Sequence, residues 1–272
     1  MAAVPDRHAL SFAYEEQLDR DPRWALSEGS RHFEENSAVF QALHKITKRL
    51  HDLGVPYAVV GGMALFQHGL RRFTEDVDIL VTKENLKRIH HELDGLGYLP
   101  PHQRSKHLRD TELGVRIEFL TTGEYPGDGK EKPVVFPEPG AVSFEADGVS
   151  YIKLPNLVEL KLASGMTNLG RLKDLADVLE LIKRLNLPAD FADQLNPFVR
   201  DKFLELRQQA HRRYVILRAA ARDLEEMRKD GVTLESDGGD ARLVTTDPEV
   251  ARKYNMVEES EFWVEEGDEL SH

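Results

Sequence analysis

The chain has 272 residues, of which 40% are hydrophobic and 31% are charged, and its formal net charge is −12. This length predicts one large domain or two small ones, and the apolar fraction excludes a wholly disordered chain. The absence of cysteine excludes disulfides, thiolate metal sites and a cysteine nucleophile. No apolar run approaches the ~18 residues that span a bilayer, and the first residues lack the pattern of a secretory signal. We therefore expect a cytoplasmic protein without membrane contact.

The acidic charge is concentrated near the C-terminus. Residues 231–272 hold 12 acidic and 3 basic residues, so the rest of the chain is close to neutral. An acidic protein is poorly suited to non-specific duplex binding, which depends on neutralising phosphates. This balance still allows a local basic site.

The first part of the chain alternates helix and strand patterns. Residues 1–30 are polar and mixed, which predicts an N-terminal arm with one short helix. Residues 37–53 have helical periodicity, and Ser37 can cap the start of that helix. The next predicted elements are a short strand at Tyr57–Val60, a brief helix over 63–69 and a strand at Asp76–Val81.

The pattern continues with a second amphipathic helix that begins after Thr82. Residues Val115–Leu120 alternate like a strand. Residues 121–140 are rich in glycine and proline, which predicts a long loop. A hairpin is expected over 141–153, turning at Asp147 and Gly148.

The chain after Pro155 has helical patterns only. Two helices are expected before residue 186, followed by a long third helix from about Phe198 to Met227. That third helix carries many basic residues and Tyr214, which suits an RNA groove. Acidic residues are interleaved among them, so a solvated helix face is the preferred interpretation.

The order of elements predicts an α/β domain followed by a helical one. We expect four segments along the chain. They are an N-terminal arm (1–30), an α/β domain (31–153), a helical domain (154–230) and an acidic, partly mobile tail (231–272).

The sharpest chemical feature is the Asp-Val-Asp sequence of the strand predicted at Asp76–Val81. Side chains two apart on a strand share a face, so Asp76 and Asp78 point the same way. Two neighbouring carboxylates repel each other, and a divalent cation such as Mg²⁺ removes that conflict. Alone, such a pair is more often the solvent face of a strand.

Two further features make a metal-dependent phosphate site the stronger interpretation. Gly61 and Gly62 follow a strand and precede a helix, a position where backbone N–H groups can hold a phosphate or where a tight turn needs glycine. Glu118 lies on the strand predicted at Val115–Leu120 and could join Asp76 and Asp78 if the strands are neighbours. Three carboxylates can hold two metal ions for phosphoryl transfer, and Glu118 could also accept a proton from an attacking hydroxyl.

This block resembles the nucleotidyltransferase superfamily with a DNA polymerase β-like fold. That pattern has Gly-Gly or Gly-Ser, then Asp-x-Asp on a strand, then a third acid on a later strand. The finer resemblance is to the minimal nucleotidyltransferases of the AbiEii toxin type. The matching residues are Gly61, Gly62, Ala64, His68, Gly69, Arg72, Thr74, Asp76 and Asp78.

The resemblance extends into the predicted helices and covers roughly residues 38–186. That group often has a lysine on the first helix after the sheet and then an Arg-x-Lys-Asp-x-x-Asp run. The corresponding residues are Lys161, Arg171, Lys173, Asp174 and Asp177. The third acid of the family is usually aspartate, and this chain has Glu118 in its place.

The resemblance implies a polymerase β-like mixed sheet with flanking helices, followed by a helical C-terminal part. It implies nucleotidyl transfer from a nucleoside triphosphate to an acceptor hydroxyl, with Mg²⁺, as two ions, held by Asp76, Asp78 and Glu118. Nucleotide binding would fall to the glycine pair, to basic residues and to a threonine that can orient Asp76. Those residues are Gly61, Gly62, Arg72, Thr74, Lys161 and Arg171.

The acceptor remains open at this point. The resemblance implies a tRNA end or a protein hydroxyl in a toxin–antitoxin-like setting, with an antitoxin as partner. The alternatives are a small-molecule enzyme that modifies an antibiotic and a non-catalytic member that binds a nucleotide or a partner protein. His68 is a further candidate base, although a packed histidine is the preferred interpretation.

Overall fold

The structure is a computed structural model that describes residues 13–102, 105–210, 214–216, 224–237 and 240–258. The chain folds as two compact units, Met1–Leu204 and Glu205–His272. The four segments drawn from the sequence stay a prediction. None of the helices in the described ranges is both long and apolar enough to cross a membrane.

A mixed seven-stranded sheet forms the centre of the first unit. Its order is β3-β4-β5-β2-β1-β7-β6, in which β2–β5 and β1–β7 are parallel and the other neighbouring pairs are antiparallel. The strands are β1 (Ala58–Val59), β2 (Asp76–Val81), β3 (Tyr98–Leu99), β4 (His107–Asp110), β5 (Arg116–Thr121), β6 (Ser143–Ala146) and β7 (Val149–Ile152).

Helices flank this sheet and follow it along the chain. In chain order they are α1 (Tyr14–Arg20), α2 (Pro22–Phe33), α3 (Ala38–Asp52), α4 (Gly61–Gln67), α5 (Lys83–Leu93), α6 (Pro139–Val142), α7 (Leu154–Thr167), α8 (Leu172–Leu185) and α9 (Pro197–Ala210). The α/β prediction, with a mixed sheet, flanking helices and helices after the sheet, is confirmed.

Local sequence signals explain several boundaries. The Ser37 hydroxyl accepts a hydrogen bond from the Phe40 N–H at the start of α3, and the Thr82 hydroxyl accepts one from the Asn85 N–H at the start of α5. The hairpin β6–β7 turns at Asp147 and Gly148 as predicted, because both residues adopt positive φ.

The two strands that matter most for function alternate between the core and the opposite face. Val77 and Ile79 of β2 are fully buried, as are Ile117 and Phe119 of β5. The parallel register places Asp76 opposite Arg116 and Asp78 opposite Glu118. The remaining polar positions of both strands therefore point to one side of the sheet.

The N-terminal segment is more ordered than the sequence indicates. Residues 14–33 form α1 and α2, and the fully buried Tyr14 donates a hydrogen bond from its hydroxyl to the buried carboxylate of Glu28. Glu28 also accepts from the Ala38 N–H at the start of α3. The sequence predicted one short helix in this arm, and the structure has two, because packing through a tyrosine–glutamate pair leaves no clear apolar periodicity.

The glycine- and proline-rich segment 121–140 is a long loop, as predicted, and its ends are tied together. The Gly123 N–H donates to the Phe136 carbonyl, and the Phe136 N–H donates to the Glu124 carbonyl. The Asn168 side chain donates to the Gly127 carbonyl, which fastens the loop to the end of α7. The loop is therefore part of the wall beside the sheet.

The second unit corrects the prediction of one long helix from Phe198 to Met227. Helix α9 ends at Ala210, and the chain continues as strand β8 (Tyr214–Ile216) and helix α10 (Leu224–Lys229). Of the basic residues expected on that helix, Arg212, Arg213, Arg218 and Arg222 lie outside the described residues. The valine–isoleucine run after Tyr214 favours a strand, and the stripe of arginines concealed it.

The acidic region after residue 231 contains regular structure as well. Strands β9 (Thr233–Asp237), β10 (Asp240–Thr245) and β11 (Val257–Glu258) join β8 in an antiparallel sheet of order β11-β8-β10-β9, with helix α11 at Pro248–Lys253. Its small core consists of Met227, Val232, Leu243, Ala251 and Met256. This core is too small to give strong periodicity in the sequence.

Candidate functional site

Three carboxylates meet on the polar face of the sheet. Asp76 and Asp78 come from β2 and Glu118 from β5, and one oxygen of each lies within 4.8 Å of the other two. The alternation of both strands and their parallel register produce this arrangement, because Asp78 and Glu118 are direct neighbours across the pair. The acids that the sequence proposed as a group are thus brought together.

The central acid of this group is hard to ionise without a cation. Burial raises the pKa of Asp78 to about 7, and repulsion from the carboxylates of Asp76 and Glu118 adds to the effect. The positive charges of Lys161 and Arg171 act in the opposite direction. The positive charges around Asp78 therefore do not offset its burial and the repulsion from the other two acids.

The glycine pair fits tightly against these acids. Gly61 has a φ of +59°, and a Cβ atom at this position would overlap the carboxylate of Asp78. A Cβ atom on Gly62 would lie 2.5 Å from Oγ1 of Thr74. Glycine is required at both positions because the chain at the start of α4 passes directly over the acidic strand.

Asp76 has two hydrogen-bond donors of its own. The Thr74 hydroxyl donates to Oδ1 at 3.0 Å, as proposed from the sequence, and Nη2 of Arg116 donates to Oδ2 at 2.8 Å. Arg116 was not singled out in the sequence. Its position two residues before Glu118 on an alternating strand was the available signal.

The three basic residues proposed from the sequence lie on the side of the cavity formed by α7 and α8. Nζ of the buried Lys161 donates to Asp174 at 2.8 Å and to Asp177 at 2.7 Å. Arg72 forms an ion pair with Asp177, and Arg171 forms one with Asp174. Burial alone would raise the pKa of Asp174, but the charges and hydrogen bonds around it hold that pKa below its usual value.

All nine site residues proposed from the sequence line one cavity of about 340 Å³. Phe136 and Leu157 give it an apolar wall, and Pro126 and Gly127 contribute from the long loop. Lys173 and Asp174, which belong to the run matched to the family, also line the cavity. Several lining residues were not proposed from the sequence, namely Arg116, Pro126, Gly127, Phe136, Leu157, Leu160, Ser164 and Gly170.

A second cavity of about 250 Å³ shares one of the three acids, Glu118, with the main cavity. Glu118 and Leu120 line both cavities, and His107, Lys106 and Ser105 belong to the second one. His107 is the cross-strand neighbour of Glu118 in the β4–β5 pair. Glu118 therefore stands between a cavity rich in glycine and basic groups and a cleft at the outer strands of the sheet.

His68 lies outside the main cavity. Its Nε2 atom is 2.8 Å from the carbonyl oxygen of Ile152, and its ring packs beside Phe144 with 5.5 Å between centroids. Burial lowers the pKa of this imidazole. The structure agrees with the interpretation of His68 as a packed histidine.

Similarity to known proteins gives the chain its family. A family model described as "uncharacterised nucleotidyltransferase" matches residues 7–196, which contain every residue of the main cavity. No curated protein matches the chain significantly.

Three solved structures are distant neighbours. A candidate nucleotidyltransferase from H. pylori is 19% identical, covering 62% of this chain and 91% of its own at a TM-score of 0.37. JHP933 from Helicobacter pylori is 18% identical, covering 70% and 94% at 0.36. ANT(2")-Ia in complex with adenylyl-2"-tobramycin is 12% identical, covering 62% and 95% at 0.32. The assignment rests on the family model, and by it this chain belongs to the uncharacterised nucleotidyltransferases and is an enzyme of nucleotidyl transfer.

Proposed function

We propose that the protein transfers a nucleoside monophosphate from a nucleoside triphosphate to an acceptor hydroxyl, with Mg²⁺ bound by Asp76, Asp78 and Glu118. The observation that carries this proposal is the convergence of three carboxylates within 4.8 Å, in the same cavity as a glycine turn and several basic groups. This combination suits a substrate that brings both negative charge and a metal ion.

The three acids fit the metal that the family implies. Mg²⁺ prefers carboxylate oxygens and retains positions for water and phosphate, and a bound cation would relieve the repulsion of Asp76 and Glu118 that helps to raise the pKa of Asp78. When bound, the metal, as two ions, would neutralise the triphosphate and stabilise the attacking and leaving oxygens. The count of two remains part of the proposal.

In this proposal the nucleotide binds in the main cavity. Its phosphates would lie at the Gly61–Gly62 turn, within the field of Lys161, Arg171 and Arg72. The base or sugar would pack against the apolar wall at Phe136 and Leu157. Thr74 serves the nucleotide indirectly, because its hydroxyl orients Asp76.

Charge placement favours an acceptor that arrives through the second cavity. The attacking and leaving oxygens lie roughly in line in phosphoryl transfer, and the basic groups that would receive pyrophosphate lie on the α7–α8 side. The acceptor oxygen bonds to the α-phosphorus as the bond to pyrophosphate breaks. Glu118, which lines both cavities, is placed to accept the hydroxyl proton.

The acceptor and the biological setting follow only from the AbiEii-type resemblance. That resemblance favours a tRNA end or a protein hydroxyl as acceptor and an antitoxin as partner, in the cytoplasm. An antibiotic as acceptor and a non-catalytic binding role are the alternatives. The experiment described next separates them.

The direct test is transfer of label from each of the four α-³²P-labelled nucleoside triphosphates, with Mg²⁺. Total RNA, total protein and an aminoglycoside are supplied as separate acceptors. We expect transfer by the wild type and by Asp52→Asn, an exposed aspartate outside the site, and loss of at least about 100-fold in Asp76→Asn. Equal background signal from the wild type and Asp76→Asn with every nucleotide would contradict the proposed function. ATP binding without transfer, measured by titration calorimetry, would indicate the non-catalytic alternative.

A further inference from the structure

The carboxylate of Asp76 already forms an ion pair with an arginine of the same chain, Arg116. Nη2 of Arg116 lies 2.8 Å from Oδ2 of Asp76, while the Thr74 hydroxyl occupies Oδ1 at 3.0 Å. Both oxygens of this carboxylate therefore accept a hydrogen bond. A charged donor at this distance makes a stronger bond than a neutral one.

The sheet fixes Arg116 in this position. Arg116 is the register partner of Asp76 in the parallel β2–β5 pair and shares its face with Glu118. Its side chain is 44% exposed and lines the main cavity. The guanidinium is thus held beside the acids from the open side of the site.

A neighbouring arginine shows how different this arrangement is. Arg109 lies opposite Arg116 in the β4–β5 pair. Its guanidinium donates to both carboxylate oxygens of Glu15, at 2.9 and 2.7 Å, and also to the Gly114 carbonyl. Within the described ranges, Arg116 makes one side-chain hydrogen bond, to Asp76. Arg109 has a structural anchor, whereas the position of Arg116 depends on the acid of the site.

We propose that Arg116 is a built-in substitute cation that competes with the metal ion for Asp76. A metal coordinated by Asp76 would place its charge beside the guanidinium, so the two cannot both be held closely by the same carboxylate without repulsion. Arg116 neutralises Asp76 while the metal is away, and the metal must displace it to bind. This inference rests on the proposed cation site.

Once displaced from Asp76, the guanidinium of Arg116 would still lie in the main cavity, where it could contact an anionic ligand. Arg116 lines the same cavity as Lys161 and Arg171, the groups that would face the phosphates. Its exposed side chain has open space on the cavity side, so it can move from the acid toward an anionic ligand. The arginine is in this sense a positioning residue that yields Asp76 as metal and nucleotide arrive.

The test is the affinity of the full-length protein for Mn²⁺ alone, measured by titration calorimetry without nucleotide. We expect Arg116→Gln to bind Mn²⁺ about tenfold more tightly than the wild type, because one charged competitor is removed. Arg116→Lys keeps the charge and should stay close to the wild type. Lys183→Gln, which removes an exposed charge on α8, controls for the change in net charge. Thermal melts confirm that each variant is folded.

The outcomes separate this inference from the proposed function. If the wild type binds Mn²⁺ and Arg116→Gln binds it equally or more weakly, the competition is wrong while the metal site stands. If neither protein binds Mn²⁺, the proposed metal site fails and the inference fails with it. Tighter binding by Arg116→Gln together with unchanged binding by Lys183→Gln supports the inference.

Discussion

At the scale of single residues, the site depends on Gly61 having no Cβ atom. Gly61 lies against the Asp78 carboxylate with a φ of +59°, so any side chain there would meet both backbone strain and a collision. Gly54, at the end of α3, has a similar φ of +63° but open space around it. The two glycines therefore separate the cost of strain from the cost of the collision.

We predict that Gly54→Ala lowers the free energy of unfolding by about 1 kcal/mol, the cost of a left-handed residue. Gly61→Ala should lose about 1–3 kcal/mol more, because Asp78 must move, and it should also weaken Mn²⁺ binding. Urea denaturation and Mn²⁺ titration measure the two effects. Equal losses in both variants, with unchanged Mn²⁺ affinity, would contradict the close fit between Gly61 and Asp78.

The residue pattern predicted this face of the site but not its partners. Alternation along Asp76–Val81 and Val115–Leu120 placed the three acids on strand faces. It could not tell that β5 pairs with β2 in parallel, or that Asp78 lies opposite Glu118, because pairing order is a long-range property. Arg116 was overlooked for the same reason, since its role exists only once Asp76 stands beside it.

At the scale of elements, α7 and α8 are joined by buried charge. Lys161 of α7 bonds to Asp174 and Asp177 of α8, and Ser164 donates to Asp174 at 2.7 Å. The resemblance drew attention to these positions, yet only the structure shows that the lysine is paired within the protein. A buried pair loses most when one partner is removed, because an uncompensated charge remains.

Lys161→Met should therefore lower the free energy of unfolding by about 3 kcal/mol near neutral pH. The pKa of Asp174 is held below its usual 3.8 in the folded state. Its pairing thus contributes stability above that value and loses it as the pH falls through the lower, folded value. The difference in the free energy of unfolding between wild type and Lys161→Met should be largest near pH 7 and should decrease towards pH 3.

Chemical denaturation across this pH range measures the difference in the free energy of unfolding between the two proteins. Lys183→Met removes an exposed ion pair with Glu180 on the same helix and should cost less than about 1 kcal/mol at every pH. A Lys161→Met penalty that stays constant from pH 7 to pH 3 would show that lost packing, rather than charge pairing, dominates at this position.

At the scale of the whole molecule, the candidate site is confined to the first compact unit. The family match ends at residue 196, and every residue that lines the main cavity precedes that point. Phe203 of α9 is fully buried and packs beside Phe191, so helix α9 must be retained for a stable core.

We predict that a chain ending at Ala210 folds on its own and binds Mn²⁺ with the affinity of the full protein. Circular dichroism melts and Mn²⁺ titration check this prediction. A chain ending at Asn196 is the informative comparison, since it loses Phe203 and should melt at a lower temperature. Loss of a cooperative melt in the Ala210 chain would show that the later residues are needed for the fold.

The structure around the seven-stranded sheet was predicted from the sequence far better than the N-terminal and C-terminal parts of the chain. Helix caps, the Asp147–Gly148 turn and strand alternation are local signals, and the elements they predict are present. The N-terminal helices are buried through Tyr14, Glu28 and the fully buried His32 instead of an apolar stripe. The C-terminal strands belong to a core so small that composition concealed them.

The register between β2 and β5 also governs where such chains can change in length. A residue inserted into the tight Asp110–Gly114 turn and absorbed by β5 would point Glu118 into the core and Phe119 into the main cavity. Extra residues near Gly129, which has open surroundings, would leave the strand untouched. Evolution is therefore free to remodel the wall of the pocket by insertion on one side of β5, while the few residues that precede the strand must keep their number.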